Sequence, residues 1–167
     1  MDASQQTGSA HRPRRHTFAG GGDARQYDHE VLDIARVVRV VKGGRRFRFR
    51  ATVVVGDRNG KVGFGTGKSR DVQQAIQKAQ DQASKNMISV TVHEGTIAHT
   101  VRAAFKGADI MLKPARPGTG MIAGGTVRMV ADLAGIRDLV SKAYGSSNRI
   151  SNVRATLKAL SQLQAKS

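Results

Sequence analysis

From Arg46 to Val53 the chain alternates at every position between two kinds of side chain, and Val55 continues one of the two sets. Phe47, Phe49, Ala51, Val53 and Val55 form one set, and Arg46, Arg48, Arg50 and Thr52 form the other. A period of two belongs to a β-strand, whose successive side chains point to opposite faces. The pattern predicts one face on a core and an arginine-bearing face turned to solvent or a ligand. Asp57-Arg58-Asn59-Gly60 follows, and Asn-Gly is a strong hairpin signal. Lys61–Gly65 is then expected to return as the partner strand, with Val62 and Phe64 inward. On the other side, the β-branched run Ile34–Val41 predicts a strand, joined through a glycine turn at Lys42-Gly43-Gly44-Arg45.

Val72, Ala75, Ile76, Ala79, Ala83 and Met87 recur at helical spacing, with Gln73, Gln74, Gln77, Lys78, Asp81 and Lys85 between them. This predicts an amphipathic helix over Val72–Met87, capped by Ser69 or Asp71. Its stripe is narrow and rich in alanine, which lets the helix lie close to a sheet. The first unit thus reads as a three-stranded antiparallel sheet plus a helix on one face. Further on, Ile88–His93 predicts a strand, and His99–Phe105 with Ala108–Lys113 a hairpin. A Gly-rich loop covers Pro114–Gly125, followed by a short helix Thr126–Ala134 stopped by Gly135. Arg137–Tyr144 is a further strand, and Val153, Leu157 and Leu160 mark a last helix. The expected class is α+β, with an arm over 1–28, a first domain over 29–94 and a second over 95–167. The arm is rich in Gly, Gln, Ser, Arg and His and lacks a hydrophobic period.

The charge is placed unevenly. Lys and Arg number 28 against 12 acids, a formal net charge of +16. Residues 31–70 hold eleven of the basic residues and only two acids. Within that stretch Arg36, Arg39, Lys42, Arg45, Arg46, Arg48 and Arg50 fall within fifteen residues with no acid among them. Unpaired, they repel one another, so a polyanion is the better account of them than a solvated face. Nucleic acid is the expected partner, because each cation on a phosphate releases a condensed counterion. Arginine suits forked contacts to phosphate. A membrane is the weaker reading, since no run of about 18 apolar residues exists. The start of the sequence lacks the apolar core of a secretory signal, so cytoplasm is the default expectation.

Other chemistries find little support. Gly63-Phe64-Gly65-Thr66-Gly67-Lys68-Ser69 invites a nucleotide reading, but Val62 stands where a P-loop needs its first glycine. The better reading is a Gly-rich strand end entering a helix, where the backbone amides and Lys68 either meet an RNA phosphate or serve the fold alone. Gly60-Lys61-Val62-Gly63 matches a GXXG loop but lies in a hairpin rather than between helices. Cys is absent, Glu occurs only at 30 and 94, and His93 and His99 have no third ligand spaced to join them. No enzyme activity, cofactor, metal or small-molecule substrate is expected.

Several blocks carry a family resemblance. Lys42-Gly43-Gly44-Arg45-Arg46-Phe47, Val54-Val55-Gly56-Asp57 and Gly60-Lys61-Val62-Gly63-Phe64-Gly65 resemble the bacterial small-ribosomal-subunit protein five family. So do Ala75–Ala79, Gly118–Gly125, Lys142–Ser146 and Asn152-Val153-Arg154-Ala155-Thr156. The blocks appear in family order across about residues 31–163. The resemblance implies a first domain like a double-stranded-RNA-binding domain, and a β-rich α+β second domain with a left-handed β-α-β crossover. It implies a structural protein of the 30S subunit at the body/head junction. The partners it implies are 16S rRNA, ribosomal proteins four and eight, and mRNA at the entry channel. The loop matching Lys42, Gly43, Gly44 and Arg45 would lie near the spectinomycin site. The surface from Gly120 to Arg128 would meet protein four and influence decoding accuracy. On this reading Arg36, Arg39, Lys42, Arg45, Arg46, Arg48, Arg50 and Lys68 hold rRNA, with Gly43 and Gly44 allowing close approach.

Overall fold

The computed structural model describes residues 27–163, so the arm expected over 1–28 lies outside them up to residue 26. Three long strands lead: β1 (Asp28–Val41), β2 (Gly44–Gly56) and β3 (Lys61–Ser69). Helix α1 (Val72–Lys85) and the three-residue strand β4 (Met87–Ser89) complete the first unit. The sheet order is β1-β2-β3-β4, antiparallel throughout, so the expected three strands gain a short fourth at the β3 edge. Of the strand expected over Ile88–His93, only its start is paired in this way. Met87, expected at the end of the helix, belongs to β4.

Helix α1 forms where its stripe predicts, with Asp71 as N-cap accepting from the Gln74 N–H. It buries Ala75, Ala79 and Ala83 against Ala51, Val53 and Val55 of β2. Between them lie Gly63, Gly65 and Gly67 of β3, all on the helix-facing side. A Cβ on any of the three would collide with a backbone carbonyl of Ala83, Ala79 or Ala75 respectively. The glycine run that resembles a phosphate loop is therefore a groove in a strand, into which the helix backbone sinks. Val62 and Phe64 alternate with these glycines and point away from α1.

What they meet is the second unit. It comprises β5 (Val101–Phe105), β6 (Ala108–Pro114), β7 (Met121–Ile122), α2 (Gly125–Ala134), β8 (Leu139–Gly145) and α3 (Arg149–Ser161). The sheet runs β5-β6-β8-β7, with β7 and β8 parallel and α2 forming the crossover between them. Leu32, Val54 and Val62 of the first unit join Ile110, Leu112, Val127, Val130, Leu139, Val153 and Leu160 of the second in one cluster. The turn between β2 and β3 also docks on α2, whose last carbonyls have no partner within the helix. Arg58 N–H donates to Leu133 O at 3.0 Å and Gly60 N–H to Ala134 O at 3.0 Å. Gly135, with φ 85°, closes the helix directly beneath the Arg58 carbonyl.

This docking corrects one expectation. Thr52, placed by alternation on the open face, is 0% exposed, and Val54 on the same face is also sealed. The sheet has two buried faces at this end: α1 covers one and the second unit covers the other.

Candidate nucleic-acid interface

Strands β1 and β2 continue past the other described elements that cover them. The pairing of β2 with β3 ends at Phe49 and Ser69, so from Arg48 to Gly44 the strands β1 and β2 form a ribbon on their own. Five residues of strand extend about 17 Å. The turn at the tip is Lys42-Gly43, with Val41 opposite Gly44. Gly43 has φ 94°, a conformation that side-chain-bearing residues rarely adopt, and its surroundings are open. The backbone conformation alone thus accounts for glycine at the tip, with no crowding from the other described residues.

Register decides which cations act together. Residues directly opposite in an antiparallel pair share a face. Arg39 is opposite Arg46, Val37 opposite Arg48, and Ala35 opposite Arg50, which is in turn opposite Lys68 of β3. Arg39, Arg46, Arg48, Arg50 and Lys68 therefore stand on one face, the one turned away from α1. Arg36 is opposite Phe49, and Arg45 is opposite Val40, so both fall on the helix side. Lys42 sits at the tip between the two. The charge run from Arg36 to Arg50 is split: four cations on one face, where Lys68 of β3 joins them, two on the other and one at the end.

The helix-side face holds a second surprise. Phe47, expected to point into a core, is 46% exposed, together with Ile34 at 46%, Val38 at 47% and Val40 at 75%. The four share that face by register. The Arg36 guanidinium lies over the Phe47 ring at 4.7 Å from its centroid. Val38, Val40 and Phe47 of this set lie on the two-stranded ribbon, and such a ribbon has little stability of its own.

None of the hairpin cations forms an ion pair among the described residues. The ion pairs found there use Arg58 with Asp28 and Asp132, Arg102 with Asp109, and Arg149 with Asp33. Each of these lies at the seam or in the second unit. Where a guanidinium does meet an acid the effect is plain: the hydrogen bonds from Arg102 hold the Asp109 carboxyl below its ordinary range. The hairpin arginines, by contrast, meet no acid among the described residues and are exposed, with only Arg50 partly covered at the root.

Gly120 and Arg128, singled out from the family resemblance alone, come together around β7. The Gly120 N–H donates to Asp138 Oδ1 at 2.7 Å, and Arg128 Nη2 donates to the Met121 carbonyl at 3.3 Å. They bracket the edge strand of the second sheet, where Ile122 is 55% exposed.

Comparison with protein-family models gives two adjoining matches. The model described as Ribosomal protein S5, N-terminal domain, matches residues 27–91. The model described as Ribosomal protein S5, C-terminal domain, matches residues 94–167.

Proposed function

The chain belongs to the ribosomal protein S5 family and is a small-subunit ribosomal protein, and on that premise we propose that its β1–β2 hairpin is the principal anchor to 16S rRNA. One observation carries the reading: Arg39, Arg46, Arg48, Arg50 and Lys68 share one face of the hairpin and its root, with no acid paired to any of them among the described residues. Phosphates supply the missing negative charge. The exposed Val38, Val40 and Phe47 on the reverse face meet the sugars and bases of the same RNA, which lets a thin ribbon sit between two RNA segments. The protein acts as a structural constituent rather than a catalyst. Its working place is the ribosome, in the cytoplasm, at the junction of body and head.

The measurement that tests this is affinity for purified 16S rRNA as a function of salt. Six or more phosphate contacts predict a loss of about 10³-fold or more between 50 and 200 mM salt. Affinity that stays flat over that range removes the phosphate assignment.

The finer placement follows the same premise. The tip, Lys42-Gly43-Gly44-Arg45, reaches toward the spectinomycin site and the hinge of the head. The edge formed by Gly120, β7 and Arg128 receives ribosomal protein four, and protein eight is a further neighbour. The remaining basic surface helps line the mRNA entry channel, so that changes at these contacts alter translational accuracy. Gly43→Asp strains the tip and places an acid among phosphates, and Lys42→Glu reverses a charge there. Either variant is expected to shift the spectinomycin dose that inhibits ribosomes carrying it. An unchanged dose for both would move the tip away from the drug site.

A further inference from the structure

In the block Asn152-Val153-Arg154-Ala155-Thr156, four residues are buried, Val153, Ala155 and Thr156 completely so. Packing accounts for them. Arg154 is the exception: it is exposed and has no hydrogen-bond acceptor or acid among the described residues. Its guanidinium is nonetheless held in place, 5.8 Å from the centroid of Phe64 in β3 and 5.4 Å from that of Phe105 in β5. One cation is thus laid across a ring from each unit, with its N–H edges left for something else.

Those edges border a cleft of about 220 Å³ lined by Phe64, Gly65, Thr66, Gln82, Asn86, Arg154 and Leu157. Among the described residues no carboxylate lines it. The Gln82 side-chain oxygen accepts from the Thr66 N–H at 2.9 Å, which leaves its amide nitrogen as a donor. Asn86 and the Thr66 hydroxyl add further donor capacity. The cleft is smaller than the roughly 300–1,000 Å³ that encloses a whole small molecule, so it fits one anionic group presented by a larger partner. A guanidinium with neutral donors around it suits an oxyanion with several acceptor oxygens.

We propose that this cleft, at the β3 edge where the two units meet, takes a backbone phosphate of RNA, separately from the hairpin. This rests on the reading of the protein as an rRNA binder and adds a second contact at the opposite edge of the first sheet from β1. The net charge of +16 favours a phosphate over an acidic side chain of a protein partner. A phosphate there also ties RNA to both units at their seam, through the arginine that already spans it.

The test uses the full chain and purified 16S rRNA. Arg154→Gln is expected to weaken binding about five- to tenfold at 0.1 M salt and to reduce the salt slope by about one. Arg154→Lys keeps the charge, and therefore most of the slope, while losing part of the affinity. Gln82→Glu retains an acceptor for Thr66 N–H yet brings a negative charge into the cleft, and is expected to weaken binding in the same direction. A photo-crosslinking residue at position 157 should join to RNA in assembled subunits. Crosslinking there to a protein alone, or unchanged affinity and slope for both Arg154→Gln and Gln82→Glu, overturns the proposal. Arg46→Gln separates the two levels. If it weakens binding while the cleft variants do not, only this inference falls; if it too is silent, the hairpin reading falls with it.

Discussion

Gly65→Ala is expected to destabilise the folded chain by about 3 kcal/mol, the upper part of the range for overpacked sites. The position lies on β3 directly under α1, where a Cβ would overlap the Ala79 carbonyl oxygen and stand 2.6 Å from the Ala83 nitrogen. Both obstacles are helix backbone, so no side chain can rotate away. The helix must lift from the sheet, opening the contacts of Ala75, Ala79 and Ala83 with Ala51, Val53 and Val55. For a chain of this length the loss corresponds to a melting temperature lower by about 6–12 °C. Gly125→Ala is the matched control. Its Cβ would meet nothing within 4 Å at the first position of α2, and reduced freedom of the unfolded chain makes that change neutral or slightly stabilising. Thermal melts of the two variants beside the parent decide the matter. Equal melting temperatures for Gly65→Ala and the parent would mean the helix does not ride in the glycine groove.

The groove was half legible in the sequence. A strand ending rich in glycine before an alanine-striped helix was the expected arrangement, and the two patterns fit one another. What alternation could not supply was the identity of the second covering layer. Thr52 read as part of an open face because the second unit folds from residues some fifty to a hundred positions further along. Its docking on Arg58 and Gly60 leaves no local mark.

The exposed Phe47 was a different kind of miss. A helix of 14 residues spans about 21 Å, whereas a strand of 13 spans about 44 Å. The helix therefore covers only half of β2, and the rest of the apolar face has to be bare. Comparing the two lengths was enough to foresee this. The splitting of the cations was equally available: a two-residue turn at Lys42-Gly43 sets Arg39 opposite Arg46 and Arg36 opposite Phe49. The irregularity between Val31 and Asp33, which lets Leu32 turn into the shared core, has no such signature. Gly120 and Arg128 came from the family resemblance rather than from any pattern of spacing, and Arg154 escaped because a lone cation in an otherwise buried helix face carries no periodic signal.

The division of the hairpin into two faces leads to the largest expected effect on binding. Changing Arg39, Arg46, Arg48 and Arg50 together to Gln removes four guanidinium groups from one face and leaves Arg36, Lys42 and Arg45 in place. Each phosphate contact contributes about 0.9 to the salt slope, so the slope should fall by about 3.6. The same relation implies a loss of about three orders of magnitude in affinity for 16S rRNA at 0.1 M salt. Arg39, Arg46 and Arg48 are exposed, and surface substitutions away from packed features stay within about 0.5 kcal/mol. Arg50 is half-buried at the root, so a thermal melt of the variant accompanies the binding measurement, and none of the four forms an ion pair among the described residues. A second variant, Val38→Thr with Val40→Thr, alters only the reverse face. It should weaken binding while leaving the slope intact, because burial of apolar surface releases no counterions. The pair of measurements asks whether the ribbon is gripped from both sides. A quadruple variant that retains the parental slope would mean that the cationic face does not rest on phosphate, and the exposed arginines would then need another polyanion to account for them.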